Sequence, residues 1–270
     1  MKSFQKVKPA FAFIICFDFC LNKYRSNNMD NWKTNHLAET YLEGVRGAIP
    51  FANAQIELMM RIINFFRPGM NSFLDLGCGD GVLGSVIFNS WPESRGIFMD
   101  YSEPMIGAAK MKCRAYRQKA KFIVQDFGAE NWITSLADNF PVDVVVSGFS
   151  IHHQDDENKQ RIYRQIFDKL LKPGGLFLNL EQVKSPTREI ENLFNEFFLD
   201  KMRDFKKQNE TKISFEVIEE EFYKDKNVNI LASVEEQCRW LKKIGFEQVD
   251  CYFKALELSI FGGIKPETNA

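Results

Sequence analysis

Twelve residues, Phe73-Leu-Asp-Leu-Gly-Cys-Gly-Asp-Gly-Val-Leu-Gly84, restrict the possible folds of this chain more than any other stretch. A short apolar run ends at Leu76, three glycines (Gly77, Gly79, Gly81) allow a tight turn, and a helical pattern begins at once. Asp100 ends the next apolar run, 21 residues after Gly79. A carboxylate there can accept hydrogen bonds from ribose hydroxyls at the switch point of a parallel sheet. The alternation continues: strands are expected at Phe73–Leu76, Gly96–Asp100, Phe122–Gln125, Asp143–Phe149 and Leu176–Leu180. Helices are expected between them at Gly81–Asn89, Glu103–Ala115, Asn131–Ala137 and Asp156–Leu171. Ser102 can cap the second of these, and Asp155 or Asp156 the fourth, which Lys172-Pro-Gly-Gly then stops. Short continuous apolar strands joined by crossover helices specify a Rossmann-like, doubly wound α/β sheet covered on both faces.

The flanks are organised differently. Helical spacing runs from Leu37 to Phe66, broken at Ala48-Ile-Pro-Phe51. After Glu181 the pattern becomes charged and helical, and residues 183–232 read as a helical lid inserted over the carboxyl edge of the sheet. A helix over Val234–Ile244, stopped by Gly245, then leads to strands at Glu247–Phe253 and Leu256–Phe261. At the other end, Lys2, Lys6 and Lys8 precede an apolar run, Pro9–Leu21, in the manner of a secretory signal. Asp18 interrupts that run, and no small-residue cleavage site follows. Residues 1–28 are therefore expected to be an N-terminal extension or a misassigned start, ahead of one domain over residues 29–270.

Composition narrows the function classes. The chain has 270 residues, 35 basic against 36 acidic, and 45% hydrophobic residues. This is too apolar for a disordered chain and too evenly charged for a strongly basic nucleic-acid binder. Lys206-Lys207 and Lys242-Lys243 are few and interleaved with acids, so tRNA is a possible partner but not the favoured one. The six cysteines form no CxxC pair and no zinc spacing, so reduced thiols, no metal and a cytoplasmic location are expected. No apolar run reaches 18 residues, so no membrane-spanning helix is expected. The sequence leaves the oligomeric state open.

The loop also discriminates between ligands. A dinucleotide calls for a third glycine five residues after the first, where the helix approaches a pyrophosphate, and Val82 stands there. S-adenosylmethionine has no phosphate and presents a carboxylate and a sulfonium, so the loop favours this methyl donor. With Asp75-Leu-Gly-Cys-Gly-Asp-Gly, Met99-Asp-Tyr-Ser-Glu-Pro-Met, Gln125-Asp-Phe, Phe149-Ser-Ile-His-His and Leu171-Lys-Pro-Gly-Gly in sequence, the chain resembles the class I S-adenosylmethionine-dependent methyltransferases from about Asp30 to Pro266. The resemblance implies a seven-stranded sheet with an antiparallel last strand. It also implies that the loop of Asp75, Gly77, Cys78, Gly79 and Gly81 holds the methionine part. Asp100 would bind the ribose and Asp126 the adenine amine, with Tyr101, Met105 and Phe127 at the ring. Ser147 and Phe149, at the end of the fourth strand, complete the expected donor site, Phe149 as an aromatic face for the sulfonium.

Within that superfamily the layout is similar to carboxy-S-adenosylmethionine synthase, in Gly47-Ala-Ile-Pro, Asp204-Phe-Lys-Lys and Ser233-Val-Glu-Glu. The residues that family uses on its extra carboxylate fall here at Ala52, Gly148 and near Phe222, which offer no charge-assisted hydrogen bond. Methyl transfer to a small-molecule acceptor is therefore the expected function. A carboxy-S-adenosylmethionine synthase-like or tRNA-modifying activity is the first alternative, and a noncatalytic S-adenosylmethionine-binding protein the second. The candidate general bases are His152 and His153, between which the sequence does not choose. Cys78 is expected to be a small filler, and the phenylalanines of residues 194–222 are expected to be core.

Overall fold

The computed structural model describes residues 49–267 apart from 135–140, 210–213 and 228. The expectations for residues 1–28, for the start of the Leu37–Phe66 helix and for the end of the Asn131–Ala137 helix lie outside the described residues. At 132–134 there is a single 3₁₀ turn.

The strands are β1 (Ser72–Leu76), β2 (Arg95–Asp100), β3 (Ala120–Val124), β4 (Val142–Gly148), β5 (Leu171–Gln182), β6 (Glu247–Ala255) and β7 (Leu258–Ile264). They form one seven-stranded sheet in the order β3-β2-β1-β4-β5-β7-β6. All pairings among β1–β5 are parallel, and β7 runs antiparallel to both β5 and β6. Strand order reverses between β1 and β4, which puts the switch point directly beyond the glycine loop. The helices are α1 (Ala52–Phe66), α2 (Val82–Ser90), α3 (Glu103–Lys112), α4 (Asp156–Gln165), α5 (Arg188–Asn209), α6 (Phe215–Lys226) and α7 (Val234–Ile244).

Side-chain alternation along the strands builds two cores. Phe73, Phe98, Val144 and Val146 face one cluster with α1, α2 and α3, while Leu74, Leu76, Met99 and Val145 face another with α4 and α7. Phe73, Phe88 and Phe98 pack with ring centroids 5.0–5.9 Å apart. Gly84 lets α2 approach that stack, because a Cβ there would lie 2.2 Å from the Phe98 ring. Of the phenylalanines in 194–222, Phe194, Phe198 and Phe222 are buried in the first cluster, with Phe198 stacked on Phe222 at 5.3 Å, while Phe197, Phe205 and Phe215 are half-buried.

Helix ends follow local chemistry. Ser102 caps α3 by accepting from the Met105 amide, and Asp155, rather than Asp156, caps α4 by accepting from Asn158. Ser233 and Glu236 form a reciprocal capping box on α7, which ends at Gly245 with φ 119°. The expected helix over Asp156–Leu171 is corrected: α4 ends at Gln165, a π turn covers Ile166–Leu170, and β5 begins at Leu171. Lys172-Pro-Gly-Gly is therefore inside a strand. Val142 pairs with Leu171 but Val144 with Leu176, so the proline and glycines sit in a bulge at the strand's entry, where a missing ladder hydrogen bond is tolerated.

Candidate active site

The glycine loop lies between β1 and α2 with Gly77, Gly79 and Gly81 at φ 67°, 51° and 77°. These left-handed conformations suit glycine, and at Gly77 a Cβ would also fall 1.9 Å from the Ser150 hydroxyl oxygen. The Cys78 amide donates to the Met99 carbonyl at 2.8 Å, which ties the loop to β2. The Cys78 side chain is buried, and burial pushes its thiol well above the ordinary range, as suits a filler.

Four carboxyl groups stand around this loop. Asp100 accepts from the Gly79 amide at 2.8 Å with one oxygen and from the Ser102 amide at 2.9 Å with the other. Burial pushes it up to about 6, against the pull of those amides. Asp75 accepts from the Gly84 amide at 2.9 Å and so ties β1 to α2. Burial, reinforced by the Asp100 charge, pushes it up to about 8. Asp80, which the sequence reading did not single out, is buried and ion-paired with Lys112 of α3. Beyond β3, half-buried Asp126 accepts from the Gly128 amide at 2.7 Å.

The remaining candidates divide. Tyr101 is half-buried beside the loop, and Phe127 is buried edge-on to Trp132 at 6.4 Å. Met105 is buried in the first core cluster. The Ser147 hydroxyl donates to the Leu76 carbonyl at 2.8 Å, which fastens β4 to the end of β1. Phe149 is fully buried at φ 48°, a strained conformation for a side-chain-bearing residue, and its amide N–H donates to the Leu180 carbonyl at 2.8 Å.

The two histidines follow on a 3₁₀ turn, Ile151–His153, with ring centroids 4.1 Å apart. They are not equivalent. His152 is 1% exposed and its Nδ1 lies 2.5 Å from Oε1 of Glu181, which is equally buried. The Glu181 carboxylate also accepts from the Gln182 amide at 3.0 Å and from Asn179 at 3.2 Å. Asn179 in turn donates to Tyr163, whose hydroxyl donates to Gln237 of α7 at 2.5 Å. The other ring nitrogen of His152, Nε2, is buried without a hydrogen-bond partner among the described residues. Burial, and then His152, hold the His153 imidazole well below the ordinary range, so it stays neutral. Sequence reasoning missed Glu181, although a charged residue closing the apolar run of β5 at the sheet's carboxyl edge was the available signal.

The site fits a cationic nucleoside better than an anionic one. Asp100, at about 6, keeps a negative charge near neutrality that would repel a pyrophosphate, Asp75 adds none while it is protonated below about 8, and Val82 occupies the position of the third dinucleotide glycine. Among the described residues there is no group of three or more potential metal ligands, and no helix is long and apolar enough to cross a membrane.

Known proteins are similar in these same regions. The methyltransferase domain family matches residues 73–175, from β1 into β5. A carboxy-S-adenosyl-L-methionine synthase of Nautilia profundicola is 24% identical over 229 residues, which is 85% of this chain and 92% of that protein. A demethylmenaquinone methyltransferase of Leptospira interrogans is 35% identical over 131 residues, covering 48% of this chain and 50% of that protein. Among solved structures, an O-methyltransferase family protein from Burkholderia thailandensis superposes with a TM-score of 0.55 at 16% identity, over 84% of this chain. The chain spans 62% of that structure's length. The sheet order, the glycine loop and these matches lead to one assignment: residues 73–175 form a methyltransferase domain of the class I, S-adenosylmethionine-dependent kind.

Proposed function

We propose that the protein methylates a small-molecule acceptor, with His152 as general base and Glu181 holding it in place. Bound S-adenosylmethionine supplies an electrophilic methyl group on a positively charged sulfur. In this reading the backbone of Gly77–Gly81 takes the amino-acid part, Asp100 the ribose and Asp126 the adenine amine. Asp100 and Asp126 keep lone pairs for this after binding their amides. Phe149 presents its ring near the sulfonium, where cation–π attraction contributes roughly 0.5–2 kcal/mol.

The observation that carries the reading is the His152–Glu181 pair. A carboxylate on Nδ1 fixes the tautomer with the proton there, leaving the buried Nε2 lone pair, which has no partner among the described residues, to take the acceptor's proton. The chain's main contributions are then alignment of the nucleophile and removal of its proton. Alignment supplies up to roughly 7–11 kcal/mol, and the base a factor of about 10²–10⁴.

A second reading, synthesis of carboxy-S-adenosylmethionine, is favoured by the relatives that match along 91–92% of their own length. Against it stand the three positions where a carboxylate would need partners. Ala52 opens α1, Gly148 closes β4, and Phe222 is buried on Phe198.

Mass spectrometry of the nucleoside released from purified protein separates the two readings. Unmodified S-adenosylmethionine or its demethylated product is expected, and a carboxylated donor would install the second reading. With a labelled donor and an acceptor pool, His152→Ala is expected to lose at least about a hundredfold in turnover. Under the same conditions His153→Ala should stay within about tenfold. Equal losses in the two variants would remove the distinction between them.

A further inference from the structure

A polar cleft of about 680 Å³ opens at the carboxyl edge of the sheet, between the exit of β5, the first turns of α5 and the end of α6. That volume falls within the range of about 300–1,000 Å³ usual for small-molecule sites, but the lining does not have their usual apolar character. Pro186, Tyr223 and Leu231 are its principal apolar groups. Its floor is a buried charged cluster. Glu257, 1% exposed in the β6–β7 turn, accepts from Gln182 and Ser185, each at 2.8 Å, and faces the Lys226 ammonium at 3.3 Å. Lys226 also meets Glu191 at 3.2 Å and the Asn195 side chain. The Lys226 charge is thus balanced within the floor. Lys184 and Arg188 are exposed at the opening, with no carboxylate within ion-pair distance among the described residues.

The cleft adjoins the His152–Glu181 pair through the backbone, although neither side chain lines it. Lys184 stands three residues after Glu181 on the chain leaving β5, a reach of roughly 10 Å in extended backbone. Its wall includes Asn229 and Leu231, and the Ile230 amide between them donates to the His152 carbonyl at 3.2 Å. A lipid-like acceptor seated here would bury Glu257, Lys226 and several asparagines against hydrocarbon. A hydrophilic acid would leave the floor's hydrogen bonds intact and neutralise the two cations at the mouth.

We infer that this cleft receives the acceptor, and that the acceptor is a hydrophilic small molecule bearing a carboxylate or phosphate held by Lys184 and Arg188. The inference rests on the methyl-transfer reading above and assigns its substrate class. The acceptor X–H gives its proton to Nε2 of His152, its X–CH₃ bond forms as the S–CH₃ bond breaks, and the breaking bond's electron pair stays on sulfur.

Full-length protein incubated with labelled donor and a cell extract, then fractionated, tests the inference. Label is expected in the aqueous fraction retained on an anion exchanger. If phosphatase treatment of the extract removes the signal, the anion is a phosphate, and if the signal survives, it is a carboxylate. Label in the solvent-extracted lipids or in neutral metabolites overturns the cleft assignment but leaves methyl transfer standing. No label in any fraction, with donor binding intact by calorimetry, overturns both. For the labelled acceptor, Lys184→Glu with Arg188→Glu should raise KM at least tenfold, with kcat and donor affinity within twofold. Lys184→Arg, with Arg188 kept, should leave KM within about threefold of the parent, as retention of the charge requires. An unchanged KM in the double variant overturns the cleft assignment.

Discussion

Asp75 is an acid withdrawn from water and committed to one backbone amide, and this makes folding sensitive to pH. Its ordinary value of 3.8 rises to about 8 in the fold, so the folded chain binds a proton that the unfolded chain has released across that interval. Stability from this group is therefore greatest below pH 4 and is lost as pH rises through 8. Asp75→Asn keeps an oxygen for the Gly84 amide and removes the titration. We expect its Tm to vary less between pH 5 and 8 than that of the parent protein, whose Tm should fall over the range by this contribution. Parallel slopes in calorimetric scans would show that Asp75 does not titrate there. Asp100 behaves differently because both its oxygens hold loop amides next to the expected ribose. Removing one charge-assisted hydrogen bond costs roughly 1.5–3 kcal/mol, so Asp100→Ala should weaken donor binding by about tenfold or more. Titration calorimetry with S-adenosylhomocysteine measures this, and unchanged affinity would take Asp100 out of the site. At this scale the sequence marked Asp100 by its place at a strand end. It gave no sign that the Ser147 hydroxyl is tied to Leu76 or that Asp75 faces Gly84, because those partners are set by how β1, β4 and α2 meet.

The elements show where local signals suffice. Ser233 and Glu236 hold the start of α7 in a reciprocal pair that depends on four consecutive residues, so both ends of that helix were readable in advance. Ser233→Ala should cost about 0.5–2 kcal/mol, read as a shift in urea midpoint at constant m-value. The glycine loop is equally local in origin but is enforced by its surroundings. Gly77→Ala places a methyl group on the Ser150 hydroxyl and keeps φ at 67°. A loss of about 1–3 kcal/mol in stability is expected, together with loss of donor binding. Adding Ser150→Gly should recover part of the stability, and no recovery would mean that backbone strain alone accounts for the effect. Where the reading failed, the cause was tertiary. Lys172-Pro-Gly-Gly has every mark of a helix stop, yet its glycines form a bulge in β5 because pairing with β4 begins at Leu171. The end of α4 likewise passes into a π turn, which no residue spacing announces.

Across the described residues, one sheet separates two cores and brings the candidate site residues to a single edge. Gly77 after β1, Asp100 after β2, Asp126 after β3, His152 after β4 and Glu181 at the end of β5 all lie at the carboxyl edge because those strands run parallel. The line Gln237–Tyr163–Asn179–Glu181 links the position of α7 to His152 through buried hydrogen bonds. Tyr163→Phe removes a hydroxyl from that line without opening a cavity. It is expected to lower kcat more than it raises KM for the acceptor, with donor affinity unchanged, and a pure KM effect would uncouple the line from the base. The periodicity of the chain, its glycines and its strand-end acids determined the fold class and the position of the glycine loop, because each depends on neighbours within a few residues or on the regular strand–helix alternation. Contacts between residues 29 to 75 positions apart decided which histidine has a carboxylate behind it and where charge gathers over β5 and β7. A single dimension does not encode those contacts, since they exist only once the parallel strands have been laid side by side and α5 and α6 have packed against the first core.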